Sequence, residues 1–274
     1  MRLSRLSPLV AALTLAGLAA PAADAELLSA RDKASFGKLQ SKLGGQIGLA
    51  VSPLGKGQAV ESAGSLKSAI AWSTSKVPVA MAVVAAGRTS AQSSNLRAAI
   101  TASDNAAAER LWSSLGSGTK AAGAATRQLR SAGDRTTTVQ SRRLRSGYTA
   151  FGQTVWAVAD QARFVAGMPC LKAGRAVLDL MGQTVGGQRW GLGRIDGAAQ
   201  LKGGWGPGSS PGANGGYIDR QMGIARVGGR RVAIAMISRP ADGSHETGTR
   251  NMTAIATWAK DHLSVAGVPA SPGC

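Results

Sequence analysis

The stretch Ala71-Trp72-Ser73-Thr74-Ser75-Lys76-Val77-Pro78 marks the point where the chain passes from strand-like to helical patterning, and the fold can be read outward from it. Upstream, Ile47, Leu49 and Val51 alternate with small residues, Gly55 to Gly57 supplies a turn, and Ala59 to Ser62 can pair back, which predicts a β-hairpin. Before the hairpin, Leu27, Leu28, Phe36, Leu39 and Leu43 recur at helical intervals until Gly44-Gly45 ends the run. Downstream, from Ser73 to about Met181, Ala- and Leu-rich segments separated by Gly and Ser show little alternation, which predicts helices. The pattern then reverts. Tyr217 to Val227 and Arg231 to Ser238 read as strands joined at Gly228-Gly229, and Met252, Ile255, Ala256, Ala259 and Leu263 share one helical stripe. The expectation is an α/β chain of the α+β kind. An antiparallel sheet from about 26–70 and 196–274 is flanked by N- and C-terminal helices, and an all-helical lobe of about 71–195 is inserted. Gly203 to Gly216 reads as a Gly/Pro/Ser-rich loop.

Within the opening stretch, Ser73 and Lys76 are three residues apart, which on a helix places them on one face. A serine hydroxyl is a poor nucleophile at neutral pH. A lysine whose pKa is lowered by desolvation can activate it, and a helix N-terminus offers N–H groups to a developing oxyanion. A second polar element, Thr101-Ala102-Ser103-Asp104-Asn105, interrupts helical sequence. Ser103 can relay a proton and the Asn105 amide can bind a substrate amide, while Ser or Asp before an Ala-rich run equally serves as a helix cap. Both readings can hold. The third element, Lys202-Gly203-Gly204-Trp205, precedes the late strands. Gly allows close backbone approach, the lysine can hold a carboxylate or tune a proton relay, and an edge strand can bind an extended acyl-peptide.

Taken in order, Ser-x-x-Lys, Ser-Asp-Asn and Lys-x-Gly resemble the three motifs of class A β-lactamases and penicillin-binding proteins. The similarity extends to Leu96–Gly116, to Gln128–Asp134 with Thr136, and to the strands within Gly223–Ile237. It implies a β-lactamase/transpeptidase-like fold and a serine hydrolase acting on β-lactams or D-alanyl peptides. Ser73 would be the acylated nucleophile, Lys76 its base or proton partner, Ser103 the relay and Lys202 the third-motif lysine. Asn105, Gly204 and Trp205 would contact substrate, with backbone N–H groups of Ser73 and Trp205 forming the oxyanion hole.

Three departures bear on activity. Gly203 stands where the family carries a Thr or Ser hydroxyl for the substrate carboxylate. The stretch from Ser73 to Ser103 is shorter than usual, so the helical lobe is expected to be trimmed and the cleft open. Between Arg110 and Gln200 there is no glutamate, whereas class A enzymes use an omega-loop glutamate to release the acyl group. The corresponding segment, Gln140-Ser141-Arg142-Arg143-Leu144-Arg145, is basic, and Asp134 or Asp160 would have to substitute. The resemblance thus implies efficient acylation and slow deacylation. A cell-wall peptidase or transferase that β-lactams inhibit is the alternative, followed by a degenerate, envelope-binding protein.

The remaining features place the chain. Arg2 and Arg5, an apolar run from Leu6 to Ala20 and Ala23-Asp24-Ala25 predict a secretory signal of residues 1–25, followed by one catalytic domain, 26–274. The run is too short for a stable membrane span. The two cysteines, Cys170 and Cys274, are expected to pair after export. The only histidines, His245 and His262, accompany neither cysteine, so no metal site or other cofactor is expected, and neither is placed in a catalytic triad. The formal charge of +18 is carried mainly by scattered Arg. That favours anionic envelope polymers or lipid head groups as partners over nucleic acid, because no aromatics interleave with the Arg142, Arg143 and Arg145 cluster. A monomer is expected, with Trp72, Trp190 and Trp205 as candidate cleft residues.

Overall fold

The computed structural model describes residues 26–208 and 215–274. The expected signal segment, 1–25, and part of the expected Gly203–Gly216 loop lie outside the described residues. Helix α1 (Ala30–Leu43) starts at a capping box in which Ser29 and Asp32 satisfy each other's backbone N–H groups. It begins later than the apolar stripe suggests. Leu27 and Leu28 precede it, buried, with their N–H groups donating to the Glu61 carboxylate at 2.6 and 3.0 Å.

The hairpin follows as β1 (Gln46–Pro53) and β2 (Glu61–Gly64), the second strand lying slightly beyond the predicted Ala59–Ser62. Next come β3 (Ser68–Ile70), α2 (Lys76–Ala85), α3 (Ser93–Thr101), α4 (Asn105–Ser114), α5 (Gly118–Ser131), β4 (Val155–Ala157), α6 (Val158–Gly167), α7 (Lys172–Met181) and α8 (Leu192–Ile195). The chain then returns through β5 (Gln200–Pro207), β6 (Tyr217–Val227), β7 (Arg230–Arg239) and α9 (His245–His262). The main sheet is antiparallel in the order β2-β1-β7-β6-β5, so β5 is an edge. Lys202 to Trp205 therefore lie within the edge strand, not ahead of the strands, because β6 offers a complementary run that pairs all of 200–207. Strands β3 and β4 form a separate two-stranded ribbon at the base of the helical lobe.

The sheet separates two apolar cores. Val232, Ile234 and Met236 of β7 face Phe36, Met252, Ile255 and Ala259 of the terminal helices, whereas Ala233, Ala235 and Ile237 face the inserted helices. Period-two alternation thus serves both layers from one strand. Phe36 and Trp258 meet edge to face at 4.9 Å, fixing α1 against α9. Among the described residues no helix is long and apolar enough to cross a membrane.

Cys170 and Cys274 are bonded, closing a separation of 104 residues. Beside the bridge, Gly273 N donates to Leu54 O at 3.0 Å and Gly273 O accepts from Lys56 N at 2.9 Å, so the tail is tied to the end of β1. Cross-linking so distant residues restricts the unfolded chain, an effect of roughly 2–4 kcal/mol. Reduction, or Cys170→Ser, is expected to lower unfolding stability by about that amount in urea titration. An unchanged midpoint would contradict the assignment.

Candidate active site

Ser73 sits in a 3₁₀ turn, Trp72–Ser75, between β3 and α2. The sequence reading placed it on the helix with Lys76, but Lys76 is the first residue of α2 and Ser73 lies before it. The turn is held by Thr74 Oγ1 donating to Ala71 O at 2.5 Å, Ser75 Oγ to Trp72 O at 2.6 Å and Ala71 N to Thr154 O at 2.7 Å. Trp72 has φ 47°, an uncommon left-handed value for a bulky residue and a sign of stored local strain.

Edge strand β5 presses on this turn at Gly204. A Cβ there would lie 2.8 Å from Thr74 N and 2.9 Å from both Ser73 N and Ala71 O, so only glycine lets the strand reach the Ser73 backbone. Gly203 is also explained by packing: a Cβ would meet the Trp190 ring at 2.8 Å, so Trp190 occupies the room a Thr or Ser would need. Trp190 itself backs the site, edge-on to Trp205 at 6.4 Å.

Lys76, Ser103, Asn105 and Lys202 converge from three elements. Lys76 Nζ donates to Ser103 O, contacts Ser103 Oγ at 3.2 Å and donates to Asn105 Oδ1 at 2.7 Å. Lys202 Nζ donates to Ser103 Oγ at 2.8 Å and to Gly203 O at 2.8 Å. Ser103, at φ 61°, is thus a hydroxyl held between two amines. Asp104 beside it caps α4, accepting from Ala107 N at 2.6 Å, so the polar triplet is both cap and cluster. Among the described residues Lys76 makes no hydrogen bond to Ser73; its amine is turned toward the second motif.

Electrostatics favour neutral amines here. Burial lowers the Lys76 pKa to about 7, with the Asp104 charge opposing the shift. Complete burial, reinforced by the Lys76 charge, holds Lys202 well below the usual lysine range. An amine near pKa 7 can take a hydroxyl proton at neutral pH. If Lys76 is the base, the acylation rate should rise about tenfold from pH 6 to pH 8 as Lys76 loses its proton. Stopped-flow acylation across that range checks this, and a flat profile would exclude Lys76 as the titrating base.

Ser73 and Asn105 border a cleft of about 220 Å³ lined also by Trp72, Tyr148, Trp205 and Tyr217, among others. Ser73 is half-buried and Asn105 exposed. Gly206, further along β5, closes on the Trp72 ring, where a Cβ would lie at 2.6 Å. The proposed substitutes for the missing glutamate are committed elsewhere. Asp134 is buried and accepts from Trp156 Nε1 at 2.9 Å and from Thr136 N and Thr137 N at 3.1 and 3.0 Å. Asp160 binds Thr136 Oγ1 at 2.5 Å and pairs with Arg163. Among the described residues no cluster of three His, Cys, Asp or Glu could hold a metal ion.

Two arrangements escaped the sequence reading. Arg220 is fully buried in β6, and burial lowers its pKa to about 9. Its guanidinium donates to Ala69 O at 2.7 Å, Trp156 O at 2.9 Å and Gln161 Oε1 at 3.0 Å, while Gln161 Nε2 donates to Thr74 Oγ1 at 2.9 Å. This hydrogen-bonded series supports the Ser73 turn. His245 opens α9, where Ser244 caps the helix through Thr247 N. Its Nδ1 lies 2.5 Å from the buried Asp219 carboxylate, whose own pKa is raised by burial. Adjacent Asp219 and Arg220 inside an apolar strand were the available signal for both.

No family profile matches the chain, and no curated protein matches it by sequence. Solved structures do match. A β-lactamase from Chitinophaga pinensis superposes with a TM-score of 0.65 at 14% identity, over 84% of this chain and 98% of the other. A β-lactamase from Xanthomonas campestris gives 0.62 at 19% identity over 85% and 97%. An ancestral class A β-lactamase reconstruction gives 0.57 at 17% identity over 82% and 99%. The fold is β-lactamase-like.

Proposed function

We propose that this β-lactamase-like chain is an exported serine hydrolase that opens β-lactams or related acyl amides through an acyl-Ser73 intermediate and releases the acyl group slowly. The observation that carries the reading is the junction at Gly204, where edge strand β5 meets the Ser73 backbone while Lys76, Ser103 and Lys202 form one hydrogen-bonded cluster nearby. In this reading neutral Lys76, directly or through Ser103, accepts the Ser73 proton as Oγ attacks the amide carbonyl. The N–H groups of Ser73 and Trp205 take the oxyanion, and the relayed proton reaches the departing nitrogen. Asn105, Gly204 and Trp205 position the amide.

Slow release follows from chemistry rather than from the fold. The segment facing the cleft offers Tyr148 and Thr149 but no carboxylate, and loss of a general base typically slows a step by about 10²- to 10⁴-fold. An open edge at β5 also suits an extended peptide donor, which favours a D-alanyl peptidase as the second reading. A chromogenic cephalosporin separates the outcomes. The account expects a rapid burst of about one equivalent followed by slow turnover; steady fast turnover would remove the slow-release claim, and the absence of both burst and turnover would remove the enzymatic one.

A further inference from the structure

Strand β6 carries a buried cation that the acyl-Ser73 chemistry does not use. Arg220 pairs in register with Gly204, the glycine that meets the Ser73 backbone, and is itself fully buried. Its neighbour Asp219 is paired with His245, so the guanidinium is satisfied by carbonyl oxygens rather than by a carboxylate. Nη1 donates to Ala69 O at 2.7 Å, to Ile70 O at 3.3 Å and to Trp156 O at 2.9 Å, and Nη2 donates to Gln161 Oε1 at 3.0 Å. Ala69 and Ile70 end β3, just ahead of the Ser73 turn, and Trp156 is the β4 partner of Ala69. One planar fork therefore joins the entry to that turn, the β3–β4 ribbon and α6.

The fork also sets the direction of the bonds that follow. A guanidinium only donates, so the Gln161 side-chain oxygen must face it and the amide nitrogen is left for Thr74. Gln161, equally buried, donates Nε2 to Thr74 Oγ1 at 2.9 Å, and Thr74 Oγ1 donates to Ala71 O at 2.5 Å. Ala71 O also accepts from Thr74 N at 3.2 Å, so the series ends on the carbonyl that closes the turn. Donors and acceptors run one way from Arg220 to Ala71, an arrangement in which each bond polarises the next. It is a costly way to fill an interior. Among the described residues Arg220 Nε has no partner, and burial lowers the pKa of the group to about 9. Trp72, at φ 47°, lies in the segment so held, and such strain persists only where the surroundings over-determine it.

We propose that Arg220 and Gln161 are positioning residues for acylation: Arg220 orients the Gln161 amide, which fixes the Thr74 hydroxyl on Ala71 O and so holds the Ser73 turn in its reactive shape. The effect on rate rests on the acyl-Ser73 reading, whereas the effect on the turn stands apart from it. Gln161→Glu separates the two links, because a carboxylate of the same shape still accepts from Arg220 but has no donor for Thr74. Its unfolding midpoint should equal or exceed that of wild type, while segment 71–75 should exchange amide hydrogens about tenfold faster. The acylation rate at saturating reporter penicillin should fall about 10- to 100-fold. Affinity for the unreacted compound, measured in the Ser73→Ala background, should change by less than about threefold. Thr74→Val should reproduce the loss of rate, and Thr74→Ser should stay within about threefold of wild type. Adding Gln161→Glu to Thr74→Val should slow acylation no further, since both remove the same link. The two Thr74 variants stay informative if Gln161→Glu proves unstable. A wild-type acylation rate in Gln161→Glu or Thr74→Val, a loss no larger than the loss of folded protein, or additive losses in the double variant overturns the proposal. Faster exchange in Gln161→Glu without acylation of wild type would uphold the clamp on the turn and overturn the acyl-enzyme reading.

Discussion

Replacing Ser73 with Ala is expected to abolish covalent labelling by a reporter penicillin, and Lys76→Ala to leave labelling detectable but about 10²- to 10⁴-fold slower. The difference in severity is diagnostic. Under the acyl-Ser73 proposal no atom remains to carry the acyl group without Ser73, whereas without Lys76 the Ser103 hydroxyl still touches Lys202 at 2.8 Å. Lys202 is also held below the usual lysine range, so it can assume part of the proton transfer. Removing Lys76 also removes the cation that presses on Lys202, which raises the latter's basicity. Labelling rates from quenched-flow gel fluorescence check both variants. Unchanged labelling of Lys76→Ala would shift the base to Lys202; labelling of Ser73→Ala would move the nucleophile elsewhere.

The second large effect is expected at Gly204. Its missing Cβ would fall on backbone atoms of the Ser73 turn, Thr74 N, Ser73 N and Ala71 O, none of which can rotate aside. Gly204→Ala must therefore push β5 away from Ser73, and a displacement near 1 Å in a reacting geometry costs about 10²-fold in rate. Overpacking should lower stability by about 1–3 kcal/mol as well. Gly187→Ala is the matched control, because nothing lies within 4 Å of the added methyl, and it should leave both quantities unchanged. The expected result is an acylation rate lost out of proportion to the melting shift. Near wild-type acylation in Gly204→Ala would mean that close approach of β5 is not required.

Some of this architecture is written locally and some is not. The late hairpin is legible because Gly228-Gly229 separates two apolar runs, and β6 and β7 end within a residue of that turn. The terminal helix is legible from its single stripe. Strand β5 was hidden because Gly203, Gly204 and Gly206 read as loop residues, yet each glycine marks a close approach, to Trp190, the Ser73 turn and Trp72 respectively. Ribbon β3–β4 was hidden because three-residue strands carry too little pattern to recognise. Ser73, Lys76, Ser103 and Lys202 could be nominated from short motifs, but their arrangement could not. That Lys76 turns to Ser103 and Asn105 depends on a left-handed Ser103 and on where α4 begins. His245 and Asp219 are 26 positions apart and meet only because α9 packs on β6.

The most direct measurement is a pulse of reporter penicillin followed by intact mass and peptide mapping over time. The account predicts a single adduct on the peptide containing Ser73, formed within seconds to minutes and lost far more slowly than it forms. A chain that stays unlabelled at saturating penicillin, or that carries its label on another residue, would contradict it.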